Sequence, residues 1–233
     1  MTLELEYAAV RTQRFCARMA GFLLLWLIVT GIAGMWITSA VAGSGGFVEE
    51  AKRVGASEHL YRAGLAVGLL EPLCTVALAV ALYVVLKPVN RTVALFAMGW
   101  RLGEAFIGGT EGVLGYVKLH LYLSPAALGA GQSQALLDLV GRAGSTMTDI
   151  GAIFFSVGST LFYALFLQSG YIPRWLAGLG VFASGVVTLI CFGVLVFPEY
   201  GGALQYGWAP MAIAEVLTGF WLMFAVRIPA YER

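Results

Sequence analysis

Charge is what this sequence has least of. Across 233 residues only 12% are Asp, Glu, Lys or Arg, against about a quarter in an average soluble domain. Histidine occurs twice and cysteine three times. Cys16, Cys74 and Cys191 are far apart, form no CxxC and sit in or beside apolar runs, so they read as ordinary packing residues. There is no HExxH, no aspartate-rich DDxxD run, no internal repeat and no low-complexity tract. A net charge of +1 gives no reason to expect a nucleic-acid partner. What is present is apolar: 60% of residues are hydrophobic and mean hydropathy is +0.84. The chain reads as an all-α, multi-pass membrane protein.

The order of apolar runs and breakers predicts one membrane domain over residues 1–233, with six helices near 19–42, 59–86, 91–118, 145–168, 174–197 and 204–227. The first run is too long for a signal-peptide core of 7–15 residues, so Ala40-Val41-Ala42 is read as part of a retained helix. Residues 43–58 follow as a charged, helical connection. Glu71-Pro72 interrupts the second helix, and Lys87-Pro88 ends it. The longest connection is expected at 119–144, with QSQALLDLV (132–140) a short interfacial helix resting in the headgroups or covering the site as a lid. Basic residues set the orientation. Arg11, Arg14, Arg18, Lys87, Arg91, Arg174, Arg227 and Arg233 fall on one side, which places both termini in the cytoplasm. The expected location is a cytoplasmic membrane.

The third apolar stretch is unusual because it carries Arg101, Glu104 and Glu111 inside a crossing. Ionised groups at that depth are costly and mark partners or tasks. At about 100° per residue the three fall within roughly 80° of one another, on one face. Glu71, about 15 Å below the outer start of helix two, joins them, as do Asp149 and Glu215 in the outer halves of helices four and six. Helices two, three, four and six should therefore surround an acidic pocket in the outer half, leaving helices one and five more exposed to lipid. On helix four, Ser145, Asp149, Ser156, Thr160 and Tyr163 form a polar stripe suited to facing that pocket. The GxxxG pairs Gly64–Gly68 and Gly108–Gly112 suit close packing, within the chain or in a homo-oligomer.

Several segments resemble a known family: HLYRAGL (59–65), LYVVLKPVNRTVALFAMGWRLGEA (82–105), QSGYIPRWLAGLGV (168–181) and PMAIAEVLTGFWLMF (210–224). Together they resemble the bacterial membrane proteins grouped as domain of unknown function 4386. Arg62, Arg101, Glu104, Pro173 and Glu215 match that pattern. The resemblance implies a six-helix membrane fold and no particular activity.

The residues support three readings of the charged cluster. In the first, buried carboxyls perform metal-independent acid–base chemistry on a lipid- or isoprenoid-like molecule, such as a cyclisation or isomerisation. Glu104, Glu71 and Arg101 are then the catalytic candidates, with Glu111, Asp149, Glu215, Trp100 and Tyr163 contacting the ligand. Phe106, Tyr116 and Trp208 could complete an aromatic lining. In the second, the carboxylates carry a proton or cation in coupled transport. In the third, the cluster is an ion-pair network that fixes helix packing and does no chemistry. Its difficulty is one deep arginine for five acids. No cofactor is implied. The metal candidates are His59 and His120 at the outer boundary, whose spacing matches no known ligand motif. The expected partners are membrane lipid and a lipophilic small molecule.

Overall fold

The computed structural model describes residues 2–124 and 129–228. Among them there are helices and no strands. They are α1 (Thr2–Ala42), α2 (Phe47–Ala56), α3 (Glu58–Gly68), α4 (Leu70–Leu86), α5 (Arg91–Leu123), α6 (Ala130–Ser169), α7 (Arg174–Val196), the single turn α8 (Gly201–Leu204) and α9 (Ala209–Phe224). Short 3₁₀ turns at Pro198–Tyr200 and Gln205–Trp208 flank α8. Five helical stretches are long and apolar enough to cross a bilayer: Ala8–Ala42, Glu58–Leu86, Gly131–Ser169, Arg174–Val196 and Tyr206–Phe224. The chain is a multi-pass membrane protein. At 33 residues α5 is also long enough, but its arginine, glutamates and glycines lower its hydropathy.

Each helix end has a local cause. Pro72 has no N–H to give the carbonyl of Gly68, and the helix breaks at Leu69, dividing α3 from α4. Asn90 caps α5, its Oδ1 accepting the Val93 N–H at 3.1 Å. Gly170, at φ +68°, ends α6 in the left-handed conformation that an L side chain resists. At the end of α1 the Arg53 guanidinium donates to the Ala42 carbonyl (2.7 Å) and the Ser44 carbonyl (2.9 Å). That places a cation at the negative end of the helix dipole.

The long rods form a closed ring in which each packs on its successor in the chain. The order is α1, the α3–α4 pair, α5, α6, α7 and α9, with α9 returning to α1. Closure relies on tight crossings. A Cβ on Gly34 would lie 2.6 Å from the Gly68 backbone, and one on Gly21 would lie 2.5 Å from the Gly219 carbonyl oxygen. Gly64 and Gly68 thus serve a contact within the chain, against α1.

The 119–144 segment differs from expectation. α5 runs to Leu123 and α6 starts at Ala130, so most of the supposed connection is helix. Residues 132–140 continue α6 without a break; Ser145, read as a helix start, bonds the Gly141 and Arg142 carbonyls of its own helix. Residues 125–128 lie outside the described residues. At 1.5 Å per residue α6 is about 60 Å long, twice the hydrocarbon thickness. The overshoot builds a second small core with α2, in which Phe47, Val54, Tyr61, Leu119 and Tyr122 are buried. It is tied by Tyr122 Oη donating to Glu50 (2.8 Å) and by the Phe47 N–H donating to Gln134 (2.9 Å).

At the opposite end Gln13 is buried. Its Nε2 donates to the Val85 carbonyl at the end of α4 (2.6 Å) and contacts the Tyr171 hydroxyl after α6 (3.3 Å). Arg14 donates to the Ile228 carbonyl at 3.1 Å. α1 therefore extends well before the expected start at residue 19, and the ends of α4, α6 and the described chain meet beside it.

Candidate functional site

Arg101 is the largest fully buried side chain, 2% exposed, and it faces the axis of the ring from the middle of α5. Its Nη1 lies 3.0 Å from Glu104 Oε2, one turn along the same helix. The N–H groups do not point along that line, so the contact is an ion pair without an aligned hydrogen bond, and Nε and Nη1 lack any such partner. The guanidinium carbon sits 4.8 Å from the centre of the Phe155 ring on α6. Cation–π attraction of this kind is worth about 2 kcal/mol when desolvated. Phe155 was not legible beforehand, because a phenylalanine in an apolar helix carries no mark of its neighbour.

Glu71 and Glu215 lie within electrostatic range of the same guanidinium. Glu71 stands at the start of α4 directly after the break, and its Oε1 accepts from Thr75 at 3.1 Å. The break turns Glu71 towards α5, where Gly108 leaves room. A Cβ built there would lie 3.7 Å from Glu71 Oε2. Glu215 projects from α9 into a small central cavity shared with Arg101, Ser159, Tyr163 and Thr218. The structure thus gathers Arg101, Glu104, Glu71 and Glu215 from three helices around one positive charge.

Glu71 also lines a separate cleft of ≈ 440 Å³ between α1, α3, α4, α5 and α6. Its walls are made largely of glycine, among them Gly34, Gly68, Gly112 and Gly144, with Glu111 and Lys118 as its other charged groups. Glu111 accepts from Thr148 Oγ1 on α6 at 2.8 Å. The cleft lies towards the α2 end of the ring. Glu71 both lines it and interacts with Arg101.

Of the other expected site residues, Tyr163 joins this group and the rest are dispersed. Trp100 is 37% exposed, packs edge-on against Phe154 at 5.0 Å and lines a shallow outer groove with Leu95 and Phe96. Asp149 is half-buried, and its charge acts on Cys191 of α7. Tyr163 is buried and lines the central cavity, its hydroxyl donating to Thr218 at 3.2 Å. Phe106 is exposed, and Trp208 stacks on Phe155 at 6.1 Å. His59 and His120 are both exposed, and no three His, Cys, Asp or Glu among the described residues are grouped closely enough to hold a metal.

The polar stripe of α6 faces α7 more than any pocket. Thr160 Oγ1 donates to Ser184 (2.7 Å), and Thr188 Oγ1 donates to Ser156 (2.8 Å). These hydroxyl pairs join two helices, where such bonds contribute about 0.6–2 kcal/mol each. α1 exposes Phe22, Trp26 and Trp36 as expected, but it is also a wall of the site. It lines the cleft through Gly31, Gly34 and Thr38 and the cavity through Leu24, whereas α7 lines neither.

Comparison with known proteins follows the same lines. The chain is 31% identical over 152 residues to an uncharacterized protein of Archaeoglobus fulgidus, covering 65% of this chain and 76% of the relative. No solved structure matches it. A family model described as "Domain of unknown function (DUF4386)" matches residues 19–225, from the apolar part of α1 through α9, and so spans the ring, the buried arginine and the cleft; the chain belongs to that family.

Proposed function

We propose that the protein binds a lipophilic small molecule in the glycine-lined cleft and that Glu71 exchanges a proton with it. The observation that carries this reading is the double position of Glu71, on the cleft wall and within range of Arg101. Arg101 and Glu104 are positioning residues behind it: Arg101 is the fixed cation within electrostatic range of Glu71, and Glu104 shares that cation. A cleft between helices is a usual place for a small-molecule pocket, and Leu65, Leu69, Pro72 and Leu114 give this one apolar wall beside its polar groups. The cleft suits a lipid- or isoprenoid-like molecule that enters from the bilayer.

The same geometry supports six crossings, and the basic residues at the Gln13 end, Arg11, Arg14, Arg18, Lys87, Arg91 and Arg174, support cytoplasmic termini in the bacterial cytoplasmic membrane. Val85 and Tyr171 both reach Gln13, so α5 and α6 leave that side and return to it. If α6 crosses, the antiparallel α5 crosses as well. Single cysteines replacing Lys52 and Lys87 in a background lacking the native cysteines should be labelled from opposite faces by an impermeant maleimide in intact cells, only Lys52→Cys reacting. Equal labelling of both would contradict the topology.

Coupled transport is less well supported. Beyond the Arg101–Glu215 cavity, towards the end where Gln13 sits, the described residues Ala17, Ala20, Val85, Leu86, Ala97 and Leu165 are buried and apolar, an unfavourable setting for a charged path.

Native mass spectrometry of protein released from its own membranes tests the binding reading. A co-purifying lipophile is expected on the unaltered chain, with at least tenfold lower occupancy in Gly112→Leu, whose side chain enters the cleft. If Gly112→Leu folds and carries the same adduct, the cleft is not the site.

A further inference from the structure

The central cavity is separate from the cleft and asks its own question. Arg101 Nε and Nη1 are buried and have no hydrogen-bond partner among the described residues. The same cavity receives the Glu215 carboxyl and the Ser159 hydroxyl, neither of which bonds a protein group there. The remaining walls are the apolar Leu24, Leu78, Leu82, Phe162 and Phe166, with Tyr163 and Thr218, whose hydroxyls bond each other. A guanidinium and a carboxyl facing such walls with unmet hydrogen-bonding capacity would cost several kcal/mol.

We infer that this cavity is a built hydration site, holding a single water that accepts from Arg101 and donates to Glu215, with Ser159 as its third partner. The dimensions select the occupant. The cavity volume is ≈ 20 Å³, and a water needs roughly 10–15 Å³ of cavity and two to four polar partners. A phosphate or other polyatomic anion is too large, and a metal cation would face the Arg101 charge. The water joins α5 to α9 and divides the Arg101 donors between two helices. Glu215 thereby becomes a positioning residue: it acts on Glu104 and Glu71 through the guanidinium it shares with them. This inference does not depend on the ligand proposed for the cleft.

A density map at a resolution that shows other internal waters should contain one peak within about 2.7–3.2 Å of an Arg101 nitrogen and of Glu215. Clear protein density around an unoccupied cavity would overturn the inference. Thermal unfolding in one detergent gives an independent sign. Ser159→Val should lower the melting temperature by several degrees, because it displaces the water; in a dry cavity it would fill a void and raise it. Displacement is separated from overpacking in a Glu215→Gln background, where the bridge no longer ends on a charge. There the Ser159→Val shift should fall to less than half, and an undiminished shift would contradict the bridge. Ser159→Ala, which keeps the space and removes one partner, should produce a smaller loss in the same direction, whereas a gain would count against the water.

Discussion

Replacing Arg101 with leucine should lower the stability of the protein by about 3–5 kcal/mol, the range found when one partner of a buried ion pair is removed. Polar contacts in membrane proteins average only about 0.6 kcal/mol, because groups that lose one partner commonly find another. Arg101 departs from that average for a structural reason. It is 2% exposed, and it is the one cation interacting with Glu71, Glu104 and Glu215. Without it those carboxyls face one another in a medium of low dielectric. Unfolding in detergent measures the loss. The double change Arg101→Leu with Glu104→Leu should recover more than half of it, since an apolar pair of similar volume avoids stranding a charge. A loss below 1 kcal/mol for the single change would mean that Arg101 reaches water or lipid phosphate, contrary to its position on the ring axis.

The second large effect concerns Gly34. Valine there places a Cβ 2.6 Å from the Gly68 backbone and 3.0 Å from the Gly64 carbonyl oxygen. Backbone atoms cannot swing aside as a side-chain tip can, so α1 and α3 must separate. The expected cost is about 1–3 kcal/mol from overpacking, together with a distorted cleft, because Gly34 and Gly68 both line it. Gly109 is the control: nothing lies within 4 Å of a Cβ at that position. Gly109→Ala should be neutral or stabilise by up to about 1 kcal/mol through helix propensity. If both changes behave alike in thermal unfolding, the close α1–α3 crossing is wrong.

The sequence showed the helical membrane class and the charged face of α5 directly, because an arginine and two glutamates inside an apolar run have few structural explanations. Glu71-Pro72 also announced its break, since proline removes a defined hydrogen bond. Helix ends near the outer surface were harder. Polarity rises where a helix leaves the bilayer whether or not the helix stops, so Ser145 marks an exit and not a beginning. The hydroxyl stripe of α6 gave the right periodicity and the wrong neighbour, because a one-helix pattern shows which residues share a face and not what that face meets. α1, free of charge from Ala20 to Val41, reads as a lipid-facing helix and does expose large apolar side chains; its second role, as a wall of the cleft, follows from glycines that let α3 and α9 approach. Gln13 gave no signal at all, as a lone glutamine in a polar leader is ordinary. The count of acids against one arginine was the most informative mismatch. The structure relieves it by spreading the carboxyls: Glu111 goes to Thr148, Asp149 lies beside α7, and three remain with Arg101.

The central claim is that the cleft ending on Glu71 is a binding site for a lipophilic molecule. A density map of the protein in a bilayer nanodisc made with its native lipid extract tests it most directly. The account predicts elongated non-protein density between α1, α3 and α5 that ends within about 3.5 Å of the Glu71 carboxyl and is lost in Glu71→Gln. A cleft holding bulk solvent alone, or density unchanged by that substitution, would contradict it.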